Sequence, residues 1–99
     1  MSRISVRFYS TLVSITRQRE IKWIIAGKQI PLLELLEALS ARYGPLFREQ
    51  IFDVEGVILP PTRIAIEGDF LPGKDPVAIQ AKTVLSGQTV KIFPPTDGG

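Results

Sequence analysis

Cysteine and histidine, two residues that carry much of enzyme chemistry, are both absent from this 99-residue sequence. Without cysteine the chain can form no disulfide, so nothing in its composition requires an oxidising compartment. The double absence excludes the usual Cys/His zinc sites. It also excludes the Cys–His and Ser–His pairs of nucleophilic catalysis. We therefore expect no metal site of this kind and none of these enzyme classes.

Long apolar runs and a strong charge of one sign are also missing. No run approaches the roughly 20 residues that a membrane-spanning helix needs. The opening residues, MSRISVRFYS, contain no apolar core of signal-peptide length. A formal net charge of +2 is no strong indication of nucleic-acid binding. With 44% hydrophobic and 22% charged residues, the sequence predicts one globular, cytoplasmic domain without a membrane or nucleic-acid partner.

Four segments alternate apolar and polar residues, as half-buried strands do. They are RISVRF, EIKWIIA, RIAIE and TVKIF, and PVAIQA is a candidate for a further short strand. Between the first two, Ser10 is expected to cap a short helix or turn. Trp23 alternates with Ile21 and Ile25, so we expect it in the core.

One long helix is predicted in the middle of the chain. In IPLLELLEALSARYGP the leucines follow the i, i+3, i+4, i+7 pattern of an apolar helix face. Pro31 suits the first helical position and Gly44 the C-terminal cap. PLFREQIF can add one further helical turn. Two strands before a helix and more after it predict an α+β fold, with a mixed sheet packed on one main helix.

The last residues, KIFPPTDGG, combine a strand, two prolines and two glycines. We place the domain at residues 1–93 and an extended tail at residues 94–99. Pro94 and Pro95 end strand pairing and favour polyproline II, while Gly98 and Gly99 make a slim tip without Cβ atoms. The ionised α-carboxylate of Gly99 resists nucleophilic attack unless AMP is attached to it from ATP. The alternative is an ordinary inert chain end.

Basic residues dominate the first part of the sequence. Residues 1–28 contain six of them against one acid, Glu20. Alternation places Arg3, Arg7 and Lys91 on the outward face of the sheet. That face is either simply solvated or a positive surface that steers an acidic partner. An RNA-binding sheet is disfavoured because only Tyr9 and Phe93 could stack bases.

The stretch VKIFPPTDGG resembles the C-terminus of ubiquitin-like sulfur carriers of the MoaD/ThiS type, above all the small subunit of molybdopterin synthase, the MoaD family. ISVRFYSTLVSITRQRE is similar to the opening strand and short helix of that family. LLELLEALSARYGPL is similar to its single long helix. The resemblance covers roughly residues 1–67 and 83–99, and the C-terminal motif is its specific part.

The resemblance implies a β-grasp fold and a carrier chemistry. A ubiquitin-activating-type enzyme uses ATP to adenylate Gly99, which then becomes a thiocarboxylate; the carrier itself binds no cofactor. The carrier docks on the large subunit of molybdopterin synthase, in an expected heterotetramer, and delivers sulfur to precursor Z in molybdenum cofactor biosynthesis. Gly98 and Gly99 would form the reactive tip. The residues assigned to partner contact are Tyr9, Phe93, Pro94, Pro95, Arg7 and Lys91.

Other functions stay open at this point. Related carriers serve thiamine synthesis, tRNA thiolation and tungsten cofactors. A ubiquitin-like modifier would use the same tail to form isopeptide bonds with lysines. A β-grasp interaction module with an inert tail is the third possibility.

Overall fold

The computed structural model describes residues 2–59, 62–71, 79 and 81–95. The strands are β1 Ser2–Phe8, β2 Glu20–Ile25, β3 Gln29–Pro31, β4 Arg63–Ile66, β5 Asp69–Phe70, β6 Thr83–Leu85 and β7 Thr89–Phe93. The helices are α1 Thr11–Thr16, α2 Leu32–Tyr43 and α3 Pro45–Ile51. None of these helices has the length and apolar character that crossing a membrane requires.

The main sheet has the strand order β2-β1-β7-β4-β5. β1 and β7 run parallel, with Phe8 opposite Ile92, and the other neighbours in this sheet are antiparallel. β3 and β6 form a separate two-stranded sheet. The predicted α+β architecture with a mixed sheet on one main helix is confirmed. Since β7 lies at the centre of the sheet, the last strand is held on both sides.

The core lies between the inward face of this sheet and α2. The inward residues of the two central strands are almost completely buried: Ile4, Val6, Phe8, Val90 and Ile92. The predicted apolar stripe of α2 faces them with no exposed surface: Leu32, Leu35, Leu36 and Leu39. Full burial of each such side chain contributes about 1.5–3 kcal/mol relative to leaving it in water. Trp23 is half-buried and packs against this core.

The start of α2 differs from the prediction and its end agrees with it. Pro31 is not the first helical residue; it ends β3 and precedes the helix as its N-cap. The reason is tertiary, because Pro31 pairs with Thr83 of β6 and its backbone stays extended. At the other end, Gly44 has φ +94° and donates its N–H to Ser40 O at 2.8 Å. A positive φ of this kind favours glycine, so the predicted cap is confirmed.

Ser10 precedes α1, as predicted, but its side chain makes no capping hydrogen bond. Its φ of +57° and ψ of −131° lie outside the extended region from which a serine hydroxyl reaches the first helical N–H groups. The turn is closed by backbone instead, since Val13 N donates to Ser10 O at 3.1 Å.

Three short strands were not predicted from the sequence, because β3, β5 and β6 have only two or three residues each. β5 follows a tight turn in which Glu67 and Gly68 both have positive φ, +54° and +87°. This is the geometry of a two-residue type I′ hairpin. The proposed strand PVAIQA is wrong at Ile79, which is helical and buried; its residues 76–78 and 80 lie outside the described residues.

Candidate functional site

The tail leaves the body where β7 ends, at the centre of the sheet. The C-terminal end of β1 lies beside this exit, since Phe8 pairs with Ile92. The start of β4 lies on the other side, since Arg63 pairs with Phe93. Pro94 is buried and Pro95 is half-buried, so the first tail residues still pack on the body. The domain boundary drawn after Phe93 stays a prediction.

The tip to which the chemistry was assigned, Gly98 and Gly99, lies outside the described residues. Its role therefore stays a prediction. What the structure describes is the surface around the root of the tail, and that surface has a definite composition.

Three aromatic side chains, which we call the outer aromatic cluster, lie beside the exit: Tyr9, Phe70 and Phe93. The rings of Tyr9 and Phe93 are stacked, with centroids 4.1 Å apart and planes 19° from parallel. Phe70 lies against Phe93, with centroids 5.4 Å apart and an interplanar angle of 42°. Alternation along β7 turns Phe93 outward, because Ile92 points into the core. The two aromatics predicted to share a role are thus brought together.

Phe70 and Arg63 were not predicted as site residues. The guanidinium carbon of Arg63 lies 4.7 Å from the centre of the Phe70 ring, a cation–π geometry. Phe70 is 51% exposed, although it belongs to the cluster. The available signal was the pair Glu67–Gly68 between Ile66 and Asp69. A two-residue turn there implies a hairpin whose second strand carries Phe70 back across Ala65.

Ala65 explains how the cluster is seated. By alternation Ala65 faces outward on β4, yet it is only 1% exposed. Its register neighbours are Phe70 on one side and Lys91 on the other. These larger neighbours cover the small side chain, and a larger residue at this position would lift Phe70 away from the sheet.

A row of positive charge, which we call the basic strip, crosses the outer face beside the cluster: Arg3, Arg7, Lys22 and Lys91. Arg7 and Lys91 share the outward face, as predicted, and they are register neighbours on β1 and β7. Glu20 forms ion pairs with Arg7 and Lys22, each at 3.4 Å. Exposed pairs of this kind contribute little to stability. Four cations against one acid leave the strip positive and suited to an acidic surface.

Among the described residues, no group of three or more acidic side chains is arranged to hold a metal ion. The described surface carries stacked aromatic rings, an exposed phenylalanine and a positive strip. These features lie at the root of the tail and on one face of the sheet.

Solved structures of similar shape include the crystal structure of the small archaeal modifier protein SAMP1 from Haloferax volcanii. That match has a TM-score of 0.77 and 16% identity, and it covers 98% of this chain and 99% of that one. The chain has a ubiquitin-like β-grasp fold. The solution structure of small archaeal modifier protein 1 from Methanosarcina acetivorans matches with a TM-score of 0.73 at 19% identity, covering 100% of this chain and 98% of that one.

A putative molybdopterin converting factor subunit 1 from Pyrococcus furiosus matches with a TM-score of 0.70 at 16% identity. This match covers 97% of this chain and 100% of that one. No protein-family model matches the sequence, and no curated protein sequence matches it. The β-grasp expectation, of the MoaD/ThiS ubiquitin-like type, is confirmed at the level of the fold. Identities this low carry no assignment of activity.

Proposed function

We propose that the protein is a cytoplasmic sulfur carrier whose working form ends at Gly99. One observation carries the proposal: the central strand of a ubiquitin-like β-grasp domain leads directly into the residues FPPTDGG. A strand held on both sides is a firm anchor for a thin tail. The two prolines stiffen the start of that tail, and the glycines narrow its tip.

The chemistry follows from the carboxylate. Gly99 attacks the α-phosphorus of ATP on a ubiquitin-activating-type enzyme, and pyrophosphate leaves. The resulting acyl adenylate is open to attack at its carbonyl carbon. A sulfide-level donor displaces AMP and leaves a terminal thiocarboxylate. Glycine suits this position because it crowds the carbonyl least.

The acceptor we assign is precursor Z, bound to the large subunit of molybdopterin synthase. This chain acts there as the non-catalytic small subunit, in a heterotetramer. The tail enters the active site of the large subunit, and the thiocarboxylate sulfur is transferred to build the dithiolene of molybdopterin. The Phe-Pro-Pro motif before the glycines supports this acceptor over the thiamine carriers, which generally lack the motif.

The outer aromatic cluster is our assignment for partner docking. Exposed aromatic and arginine side chains are the residues that most often dominate binding energy at interfaces. Phe93 and Tyr9 lie where the tail begins, so a partner that takes up the tail meets them first. Arg7 and Lys91 add a positive surface that speeds association with an acidic partner.

Conjugation to proteins is the second candidate. It is favoured by the likeness to two structures described as small archaeal modifier proteins. The same acyl adenylate would form, but a lysine amine would displace the activated group and create an isopeptide bond. The two functions share activation and differ only in the nucleophile that follows.

The test is intact mass after coexpression with a cognate activating enzyme. Exchange of one oxygen for sulfur at the C-terminus supports the carrier, and lysine-linked adducts support the modifier. No change in mass contradicts both functions and leaves an interaction module. The matched control is a variant with one alanine added after Gly99. We expect it to lose adenylation completely while its melting temperature stays the same.

Transfer to precursor Z needs its own measurement. The thiocarboxylated protein is mixed with the large subunit and precursor Z, and molybdopterin is measured by fluorescence after oxidation. If the thiocarboxylate forms but no molybdopterin is detected, the sulfur-carrier function is still supported and precursor Z is not the acceptor.

A further inference from the structure

The strand β2 forms one edge of the main sheet, with β1 on its inner side. One hydrogen bond at the end of this pair shows which residues of the two strands bond to each other: Phe8 N donates to Arg19 O at 2.9 Å. In an antiparallel pair, bonded and non-bonded positions alternate. Val6–Ile21 and Ile4–Trp23 are therefore bonded pairs, and the intervening β2 residues direct their N–H and C=O groups away from β1.

The hydrogen bonds on the other side of β1 lead to the same assignment of bonded and non-bonded pairs. Ser5 N donates to Gln88 O at 3.0 Å, and Gly87 N donates to Arg3 O at 2.8 Å. Arg3 and Ser5 thus turn their backbone groups toward β7, so their register partners on β2 are not the bonded ones. The open edge is formed by Glu20, Lys22 and Ile24. Within the described part of the chain, no backbone group pairs with this edge.

A groove of about 560 Å³ runs beside this edge, between β2 and the C-terminal end of α2. Ile21, Trp23 and Tyr43 line it, and each is half-buried against the core. Ile24, on the outward face of the same strand, is 60% exposed. Backbone donors and acceptors thus lie directly beside an apolar surface, which is what an added strand with alternating side chains requires.

The charge around the groove selects the partner. Lys22 and Arg42 line it, and Arg17 and Arg19 lie in the turn that enters β2. Glu20 is the one acid among the lining residues, and it is already shared between Arg7 and Lys22. An acidic segment is therefore complementary to this edge, and a basic segment is repelled.

We propose that the β2 edge binds an extended acidic segment of a partner protein, which adds a strand to the sheet. Alternate apolar side chains of that segment lie on Trp23, on the helix side of the sheet, and the acids between them lie on the outward face along Lys22. This surface is independent of the proposed carrier function. β2 and β7 are separated only by β1, about 10 Å at the usual strand spacing. A partner on this edge and a partner on the tail can therefore be held side by side.

The probe is the synthetic peptide acetyl-Asp-Val-Asp-Ile-Asp-Val-Asp-amide, added to the full chain and followed by amide NMR. We expect the largest shifts at the amides of Glu20, Lys22 and Ile24 and at the Trp23 indole. Hydrogen exchange at those three amides should slow when the peptide binds. A peptide with lysine in place of each aspartate should not bind. The acidic peptide N-methylated at alternate amides should also lose its affinity, because it cannot form the ladder.

Two variants at one position separate backbone pairing from side-chain contact. Ile24→Pro removes an N–H that faces the open edge and no bond to β1, a placement that edge strands tolerate. It should weaken binding about tenfold, the effect of one lost hydrogen bond. Ile24→Ala also loses the exposed side chain but keeps the N–H, so it should bind more tightly than Ile24→Pro, and the difference between the two variants measures the contribution of the backbone N–H.

Several results would overturn the proposal. They are the absence of any shift at millimolar peptide, shifts confined to Tyr9 and Phe93, and equal binding by Ile24→Pro and Ile24→Ala. Sedimentation gives a further check. A dimer that Ile24→Pro converts to a monomer would assign the edge to a second copy of this chain instead.

Discussion

Replacement of Phe70 by alanine separates partner contact from folding at the outer aromatic cluster. Phe70 is 51% exposed and belongs to the two-residue strand β5. Its neighbours in the cluster are Phe93, at 5.4 Å between ring centroids, and Arg63, whose guanidinium carbon lies 4.7 Å from the Phe70 ring centre. Half of its surface is thus used inside the protein, and half is available to a partner.

The cost to folding follows from the two contacts. One aromatic pair contributes about 0.5–1.5 kcal/mol beyond area burial. An exposed cation–π contact contributes about 0.5–1 kcal/mol. Since the ring packs from one side only, we expect the free energy of unfolding to fall by about 1–2 kcal/mol. For a domain of this size the melting temperature should fall by about 5–15 °C, and the protein stays folded at 25 °C.

The cost to partner binding follows from the exposed half of the ring. A phenylalanine buries about 200 Å² in full, so about 100 Å² is left for an interface. At about 25 cal/mol per Å² this is about 2.5 kcal/mol, of which alanine retains a part. We expect a net loss of about 1.5–2 kcal/mol, which is a 10- to 30-fold fall in affinity.

The assay is ATP–pyrophosphate exchange with the cognate activating enzyme, measured as kcat/KM at 25 °C. Leu46→Ala is the matched control, because Leu46 is 64% exposed but lies on α3, away from the sheet face. Phe70→Ala should lower kcat/KM by 10- to 30-fold, while Leu46→Ala leaves it within twofold of the wild-type value. Equal values for the two variants, with the melting temperature lowered only in Phe70→Ala, would show that the cluster supports the fold and no partner.

Three further predictions concern the fold and the surface. Gly44→Ala should cost about 1 kcal/mol or more at φ +94°, whereas Gly27→Ala, with the same open space but no such φ, should cost nothing; chemical denaturation measures both. Ala65→Leu should lower stability by about 1–3 kcal/mol through overpacking and release Phe70 from the sheet, seen as faster exchange of the neighbouring Leu71 amide, which donates to Ile64 O at 2.9 Å. Glu20→Gln should change the free energy of unfolding by less than about 0.5 kcal/mol, because its ion pairs are exposed. If the salt dependence of activation is the same in this variant as in the wild type, that result argues against steering of the partner by the basic strip.

The elements with a long periodic signal could be predicted from the sequence. Four leucines at helical spacing along α2 can be buried together only on one face of a helix, and the structure buries them all. The alternation in β1 and β7 likewise identified their inward residues. Such patterns are reliable because burial of each apolar side chain imposes the same geometry wherever the segment lies.

The elements without such a signal depend on what lies opposite them. β3 ends at Pro31 only because β6 pairs with it, so the first residue of α2 could not be read from Pro31 alone. Serine is a residue type that often caps helices, but the backbone of Ser10 does not have the capping geometry, since the chain turns sharply between β1 and α1. A strand of two or three residues carries too little alternation to be recognised before its partner is known.

The amino-acid sequence alone determined the apolar faces, the absence of cysteine and histidine chemistry, and the Phe-Pro-Pro and Gly-Gly order of the tail. Each of these depends only on residue type and spacing along the chain. The tertiary structure decided that Phe70 joins Tyr9 and Phe93, that Arg63 covers it, and that β2 is an open edge among the residues that the structure describes. The contacts of Phe93 with Tyr9 and Phe70 join residues far apart in the sequence, and only strand order and register bring such residues together.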